Sequence, residues 1–448
     1  MGSADGQRPN FVYILADDLG YADLGCTGAV DAQGSPVDVS PRLDGLAREG
    51  IRFTRGYANS PVCSPTRLAL ITGRWQYRLR AGAEEPLTAG ASGDKIFGLP
   101  PSHPTLPSLL AGAGYRTALV GKWHLGYPPQ FGPRLSGYDE FYGFHAGGSG
   151  YFSHCDSRGK ADLWLNEEPL SEEGYLTDLL SKRAVSFIQR QTPAQPFLLS
   201  LHYSAPHWPW LSRDDESESR RIGRNLKHTD GGSLQTYQRM ISHMDEGIGW
   251  VLDALDRQGL ADNTLVVFTS DNGGERFSNN WPLTGRKMDL LEGGIRVPLI
   301  ARWPARWAGG KVCDLPNQTM DWTATMLDAA RVPPHSGFPL DGVSLLPALS
   351  ASPSPAPFNR DLFWRMKHRE QAATVRGKWK YLRVDGHEYL FDLEADPAER
   401  ANMASREPGY LADLRHAWNV WNEAIPPIPD DAGVSLVFGP GDLPVATF

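Results

Sequence analysis

Cysteine is scarce in this chain, with 4 in 448 residues. Cys26, Cys63, Cys155 and Cys313 are scattered and form no C-x-x-C pair, so neither a zinc ribbon nor a small disulfide-stapled scaffold is indicated. No block of basic residues occurs and the formal net charge is -8, which argues against coating a nucleic acid while leaving local basic pockets open. No run of about 18 apolar residues is present, so no membrane-spanning helix is expected. The opening MGSADGQRPN leads into a strand-like run without a signal-peptide core. That fits a cytoplasmic protein, or a periplasmic or secreted one whose leader has been removed. No internal repeat is found.

The 41% hydrophobic and 21% charged fractions are ordinary for a globular protein, and the length predicts one large domain plus a smaller one. Apolar, β-branched runs alternate with helical patterns. Phe11 to Ala16, Tyr115 to Val120, Phe197 to His202 and Thr264 to Ser270 read as buried strands. Ser40-Pro41 opens a short helix, and Thr236 to Gln258 carries a long helical period. This alternation predicts an α/β fold with a mostly parallel sheet covered on both faces. The Pro-rich ASPSPAP at Ala351 to Pro357 reads as a linker. LFWRM, QAATVR, WKYLRV and HEYLFDL then predict a small antiparallel sheet, closed by a helix near Tyr410 to Trp421. The expected division is residues 8–350, residues 358–425, and a surface tail over residues 426–448.

Sites in such folds lie at the carboxyl ends of strands. The first strand ends on Asp17-Asp18, and the strand before Ser270 ends on Asp271-Asn272, with glycines after both. Each pair alone suits a turn cap. Together, three carboxylates and an amide carbonyl suit a hard divalent cation, since buried acids need a positive partner. In PVCSPTRLALITGR, Pro65 suits the first turn of a helix, leaving Cys63 at its positive N-terminus with Arg67 one turn along. Such a position would face a bound anion. A lone cysteine there also reads as a gap-filler.

Cys63-Ser64-Pro65-Thr66-Arg67, with Thr72-Gly73-Arg74 downstream, resembles the signature of the type I, formylglycine-dependent sulfatases. ADDLGYADLGCTG, GKWHLG, APHWP, SDNGG and LTGRKMDLLEGGIRVP resemble that family's other blocks, in the family's order, and LFDLEADPAERANMA resembles its C-terminal segment. The resemblance covers roughly residues 8 to 405. It implies an alkaline-phosphatase-like fold: a large mixed, mostly parallel sheet flanked by helices, with a smaller C-terminal antiparallel sheet and helix. FYGF and GYLTDLLSKRAVSFI lean toward the arylsulfatase B-type and bacterial polysaccharide-sulfatase branch.

The resemblance further implies that Cys63 is oxidised to formylglycine by a maturation enzyme, the formylglycine-generating enzyme or an equivalent. The hydrated aldehyde attacks sulfur through one hydroxyl, and the other expels sulfate, which is covalent catalysis with a self-releasing nucleophile. Asp17, Asp18, Asp271 and Asn272 would bind the cation, calcium in most of the family with magnesium as the alternative, beside the modified Cys63. Arg67 would hold the diol. Lys122 and His124 match residues that contact diol and sulfate, His207 a histidine near the leaving oxygen, and Lys287 a lysine on the sulfate. Cations placed around the developing charge each supply roughly 3 to 4 kcal/mol, by the oxyanion-hole precedent. The expected substrate is a sulfated small molecule or glycan.

Each of these residues has a plainer reading when taken alone: His124 as a packed core histidine, Lys287 as a solvated lysine, His207 as a loop-packing residue. Ser149, Ser153 and His154 are further pocket candidates, none of them marked by its spacing as catalytic. Trp208 and Trp210 suit stacking on a sugar or covering the core equally. The alternatives are a phosphonate or phosphate ester hydrolase on the same fold, and a non-catalytic protein holding sulfated glycan. Two-zinc phosphatases fit less well, because the acid-rich ligand set favours one hard cation.

Overall fold

The computed structural model describes residues 7–350 and 360–435, so the linker at Ala351 to Pro357 lies outside the described residues. Its centre is a mixed ten-stranded sheet. Five adjacent strands run parallel, in the order Thr264–Ser270, Asn10–Ala16, Phe197–His202, Arg116–Lys122 and Glu140–Phe144. Leu299–Arg302 continues the sheet antiparallel to Thr264–Ser270, with Ile51–Phe53 beyond it. The strand read from Tyr115 to Val120 runs on to Lys122, because pairing with Gly143 and Phe144 extends it two residues.

Every residue of Asn10–Ala16 is buried, which explains the unbroken apolar run from Phe11 to Ala16. Val12, Ile14 and Ala16 face a cluster fed by the helices Pro41–Glu49, Leu176–Gln189 and Leu234–Arg257. Phe11, Tyr13 and Leu15 face the opposite cluster with Cys63–Thr72, Leu106–Gly112 and Thr319–Ala330. Alternate residues thus serve opposite layers. The long helix begins two residues before the sequence reading, because Ser233 Oγ accepts the Thr236 amide and sets the N-terminus there.

Leu362–Arg365, Ala372–Arg376, Trp379–Val384 and His387–Asp392 form a separate antiparallel sheet in sequential order. The helix Pro408–Glu423 packs on it. This unit is fastened to the segment leading into the Cys63 helix by Trp364, whose indole donates to the Ala58 carbonyl at 2.8 Å and whose ring meets Tyr57 at 5.4 Å. Its Trp364, Val375 and Leu382 share one apolar cluster with Val62, Cys63 and Met288, so the small sheet backs the start of the Cys63 helix. Residues 427–435 return toward the large unit, where Val434 bridges to Glu85, and the rest of the tail lies outside the described residues. Among the described residues no helix is long and apolar enough to cross a membrane.

Candidate active site

Parallel register builds the site. Ala16 pairs with Ser270, so the next residues, Asp17 and Asp271, emerge side by side. The amide of Asp271 donates to the Ala16 carbonyl at 3.1 Å, and that of Asp17 to the Ala205 carbonyl at 3.1 Å. Asp18 takes the left-handed region at φ 63, which aspartate tolerates better than most residues, and its side chain turns back toward Asn272. Asp17, Asp18, Asp271 and Asn272 are all fully buried.

Cys63 is the first residue of its helix, after an extended Val62 that supplies no side-chain cap. Pro65 sits at the third position, where it withholds no amide that the helix needs. The whole helix is buried, and Gly73 ends it at φ 64, a left-handed stop. Cys63 therefore stands rigidly at a helix N-terminus beside the acids: its sulfur lies within 4.8 Å of oxygens from Asp17 and Asp271.

Three buried cations face the three carboxylates. Lys122 Nζ lies 2.6 Å from Asp17 Oδ2, Lys287 Nζ 2.7 Å from Asp18 Oδ2, and Arg67 Nη2 2.8 Å from Asp271 Oδ2. Burial pushes the Asp18 carboxyl up, but Lys287 and His207 outweigh it and bring it down to about 2. Burial also lowers Lys287, yet Asp18 and Cys63 hold its ammonium above the ordinary value. Asp271 is pushed up to about 7 by burial and by Asp17, with Arg67 acting against them. Burial raises the Cys63 thiol despite Lys122 and Lys287 beside it.

The residues present fit a hard cation. Asp17 Oδ1 and Asn272 Oδ1 are buried without a hydrogen-bond partner, so each has an oxygen free to coordinate. Asp17, Asp18 and His207 also converge within 4.8 Å. The acids and cations cancel, three against three, so a divalent ion would leave the site positive toward an anionic group.

A cavity of about 320 Å³ opens above Cys63, with His124, His207 and Trp208 in its wall. His124 is strained at φ 56 and is held by its Nε2, which donates to the Leu87 carbonyl at 2.8 Å. Its Nδ1 is then an unprotonated acceptor, and it has no partner. His207 Nδ1 donates to the Trp208 carbonyl at 2.7 Å, which leaves Nε2 bare and 3.6 Å from Asp18 Oδ2. Burial drives His207 down to about 3, and burial likewise drives His124 well below the usual value. Both imidazoles are neutral at pH 7.

The structure brings together every residue singled out for catalysis or metal binding. It separates the others. Trp210 is buried under Arg276 at 4.0 Å and belongs to the core, whereas Trp208 lines the cavity. Ser153 and His154 line a different cavity, and His154 is committed to the Gly174 carbonyl. Ser149 is buried. The sequence reading missed Gly147 and Gly148: a Cβ at Gly147 would stand 2.7 Å from His124 Nε2, and one at Gly148 3.2 Å from His207 Cε1. It also missed Arg224, Asn225, Lys227 and Ser435 on the cavity wall. The Gly-Gly pair was visible within FYGFHAGGSG; the others stand in loops that carry no motif.

At the carboxyl ends of the strands, then, this α/β fold sets a buried cysteine at a helix N-terminus against three acids and three cations. The sulfatase family model matches residues 9–332, and the chain belongs to the sulfatase family. It is 35% identical over 370 residues to the mouse (Mus musculus) N-acetylgalactosamine-6-sulfatase, covering 77% of this chain and 66% of that protein. The chain thus spans just under two thirds of that relative. It is 30% identical over 408 residues to the uncharacterized sulfatase YdeN of Escherichia coli strain K12, covering 80% and 68% of the two chains. The solved structure of Ps i-CgsB superposes with a TM-score of 0.84 at 31% identity over 96% of both chains. A complex of that protein with k-i-k-neocarrahexaose also matches, with a TM-score of 0.81 at 31% identity over 93% of both chains.

Proposed function

We propose that this protein hydrolyses sulfate esters of carbohydrates to free alcohol and inorganic sulfate. The observation that carries this reading is the position of Cys63, at a buried helix N-terminus within reach of Asp17 and Asp271 and under a cavity walled by two neutral histidines. Family membership supports the reaction, and the carbohydrate names of the matched proteins support the substrate class.

A buried thiol whose pKa is raised is a weak nucleophile at neutral pH. This favours Cys63 as a precursor, oxidised by a maturation enzyme to formylglycine. When hydrated, that group supplies one hydroxyl to attack sulfur and a second to expel sulfate. Calcium, bound by Asp17, Asp18, Asp271 and Asn272, would supply Lewis-acid stabilisation of the sulfate oxygens.

The chain's own residues do the rest. Arg67 fixes Asp271 and, with Lys122, keeps positive charge beside position 63. Lys122 and Lys287 counter the charge of the bound sulfate. His124 Nδ1, unprotonated and unpartnered, accepts a proton from the hydroxyl at residue 63. His207 Nε2 takes a proton from solvent, with Asp18 stabilising the imidazolium 3.6 Å away, and donates it to the leaving oxygen as the sulfur–oxygen bond breaks. Gly147 and Gly148 keep the wall open where these rings stand.

The test is sulfate release from a panel of sulfated mono-, oligo- and polysaccharides, an aryl sulfate and a phosphonate monoester, using protein shown by mass to carry the converted residue. Release from a sulfated sugar is expected. Turnover of the phosphonate alone would replace the proposed reaction.

A further inference from the structure

We propose that Arg224 and Lys227 form a second anion subsite on the cavity wall, which takes a further acidic group of the same glycan. The group is a sulfate or a carboxylate on the sugar. The inference deepens the sulfate-ester reading and rests on it for the identity of the ligand.

Arg224 and Lys227 line the same cavity as Cys63, His124 and His207, and no aspartate or glutamate lines it among the described residues. A protein with a net charge of -8 thus concentrates positive charge at the mouth of this pocket. Ion pairing along the same segment makes Arg224 stand out. Arg220 is paired with Glu216 at 2.6 Å, and Arg221 with Glu218 and Asp230 at 2.7 Å. Among the described residues the exposed side chain of Arg224 makes no hydrogen bond or ion pair. A planar guanidinium left in that state suits bidentate capture of a sulfate or carboxylate.

The segment is held in place. Arg276 donates to the carbonyls of Thr229 at 3.1 Å, Lys227 at 3.2 Å and His228 at 3.0 Å, while its guanidinium rests 4.0 Å over the Trp210 ring. Arg276 stands four residues beyond Asn272, so the loop is tied to the strand end that carries the metal-site residues. The stem of Arg224 lies across Gly159, where an added Cβ would stand 2.3 Å from Arg224 Cδ. Gly159 itself sits at φ 78, a conformation that favours glycine, so the bed for the arginine is built into the turn. Backbone fixation lowers the ordering entropy lost on binding, so two cations here can select between ligands.

The experiment compares glycans of one backbone carrying a single sulfate with those carrying in addition a second sulfate or a uronate carboxylate. Binding is measured by calorimetry with the Cys63→Ala protein, so it does not depend on turnover. The added acidic group is expected to tighten binding at least about tenfold at low salt, with the gain shrinking as salt rises. Arg224→Ala/Lys227→Ala should bring the ratio of doubly to singly charged ligand close to one, and Arg224→Lys should keep part of it. A gain with only one of the two acids would identify the group the subsite takes. Equal binding of singly and doubly charged glycans, or a ratio unchanged in the double variant, would overturn the subsite. If converted protein releases sulfate while that ratio is one, the subsite alone falls. If the ratio holds but no sulfate is released, the reaction falls and the subsite stands.

Discussion

Arg67 reaches across 204 positions of sequence to hold Asp271 at two points, Nε at 2.9 Å and Nη2 at 2.8 Å from the same carboxylate oxygen, with both side chains buried. The pair joins the first turns of the Cys63 helix to the end of the strand Thr264–Ser270. It is the contact that seats the Cys63 helix on the strand end carrying Asp271 and Asn272.

Arg67→Ala should therefore cost about 3 to 5 kcal/mol, because it leaves a buried carboxylate without its partner. Arg67→Lys should recover only part of this, since an ammonium cannot reproduce the two-nitrogen contact. Urea unfolding of the two variants measures both effects. Wild-type stability in Arg67→Ala would remove the pair's structural role.

Cys63→Ala should release no sulfate from any ester, yet keep its far-UV circular dichroism and melt within a few degrees of the parent. The side chain removed is small, and the helix around it is buried on all sides. Sulfate release near the parental rate would exclude residue 63 as the nucleophile.

Treatment with a chelator should abolish turnover, and calcium should restore it. Added calcium should also raise the melting temperature of the unconverted protein, since a ligand at a hundredfold excess over its Kd stabilises by about 2.7 kcal/mol. Asp271→Ala should lose both responses. A calcium-induced shift that persists in Asp271→Ala would move the metal elsewhere.

Gly147→Ala should fold but lose at least about tenfold in kcat/KM, because its Cβ would stand 2.7 Å from His124 Nε2 and displace the ring. A drop in kcat larger than any rise in KM is expected if the imidazole serves the reacting hydroxyl as proposed. Unchanged kcat would clear His124 of that role.

Glu85 supplies a pH test away from the Asp17–Asp271 cluster. Burial pushes its carboxyl up to about 7, against the amides of His368 and Lys367 that it accepts. A carboxyl whose folded pKa lies above its unfolded value contributes stability that is complete below the unfolded pKa and is lost as pH rises through about 7. The loss attributable to Glu85 approaches about 3 kcal/mol, at 1.36 kcal/mol per pH unit of separation. Glu85→Gln cannot ionise, so its denaturation midpoint should fall less than that of the parent between about pH 5 and about pH 8. Equal falls in both proteins would place the titration elsewhere.

Much of this architecture was legible in one dimension. Phe11 to Ala16 and Thr264 to Ser270 read as buried strands because each carries a run of consecutive apolar residues, FVYILA and LVVF, the mark of strands covered on both faces. Acids directly after such strands stand out because burial forbids them without compensation. Cys63, Pro65 and Arg67 lie within five residues, so local helix geometry is enough to predict that they share one helix start. The blocks holding Lys122, His124, His207 and Lys287 were recognisable as a set through family resemblance.

Tertiary structure alone decided which charges pair. Lys122 meets Asp17 because parallel register aligns strand ends that are far apart in sequence, and Lys287 meets Asp18 because its loop is tied back to the Gly274 carbonyl at 3.1 Å. It assigned Trp208 to the cavity and Trp210 to the core, two residues whose local sequence suits either place. It also brought Arg224, Lys227 and Ser435 to the cavity wall, from loops with no periodicity and no motif to mark them. Strands and helix starts follow from local backbone and solvation rules, which the sequence carries within a few residues. A pocket wall follows from long-range packing, which the sequence by itself does not display.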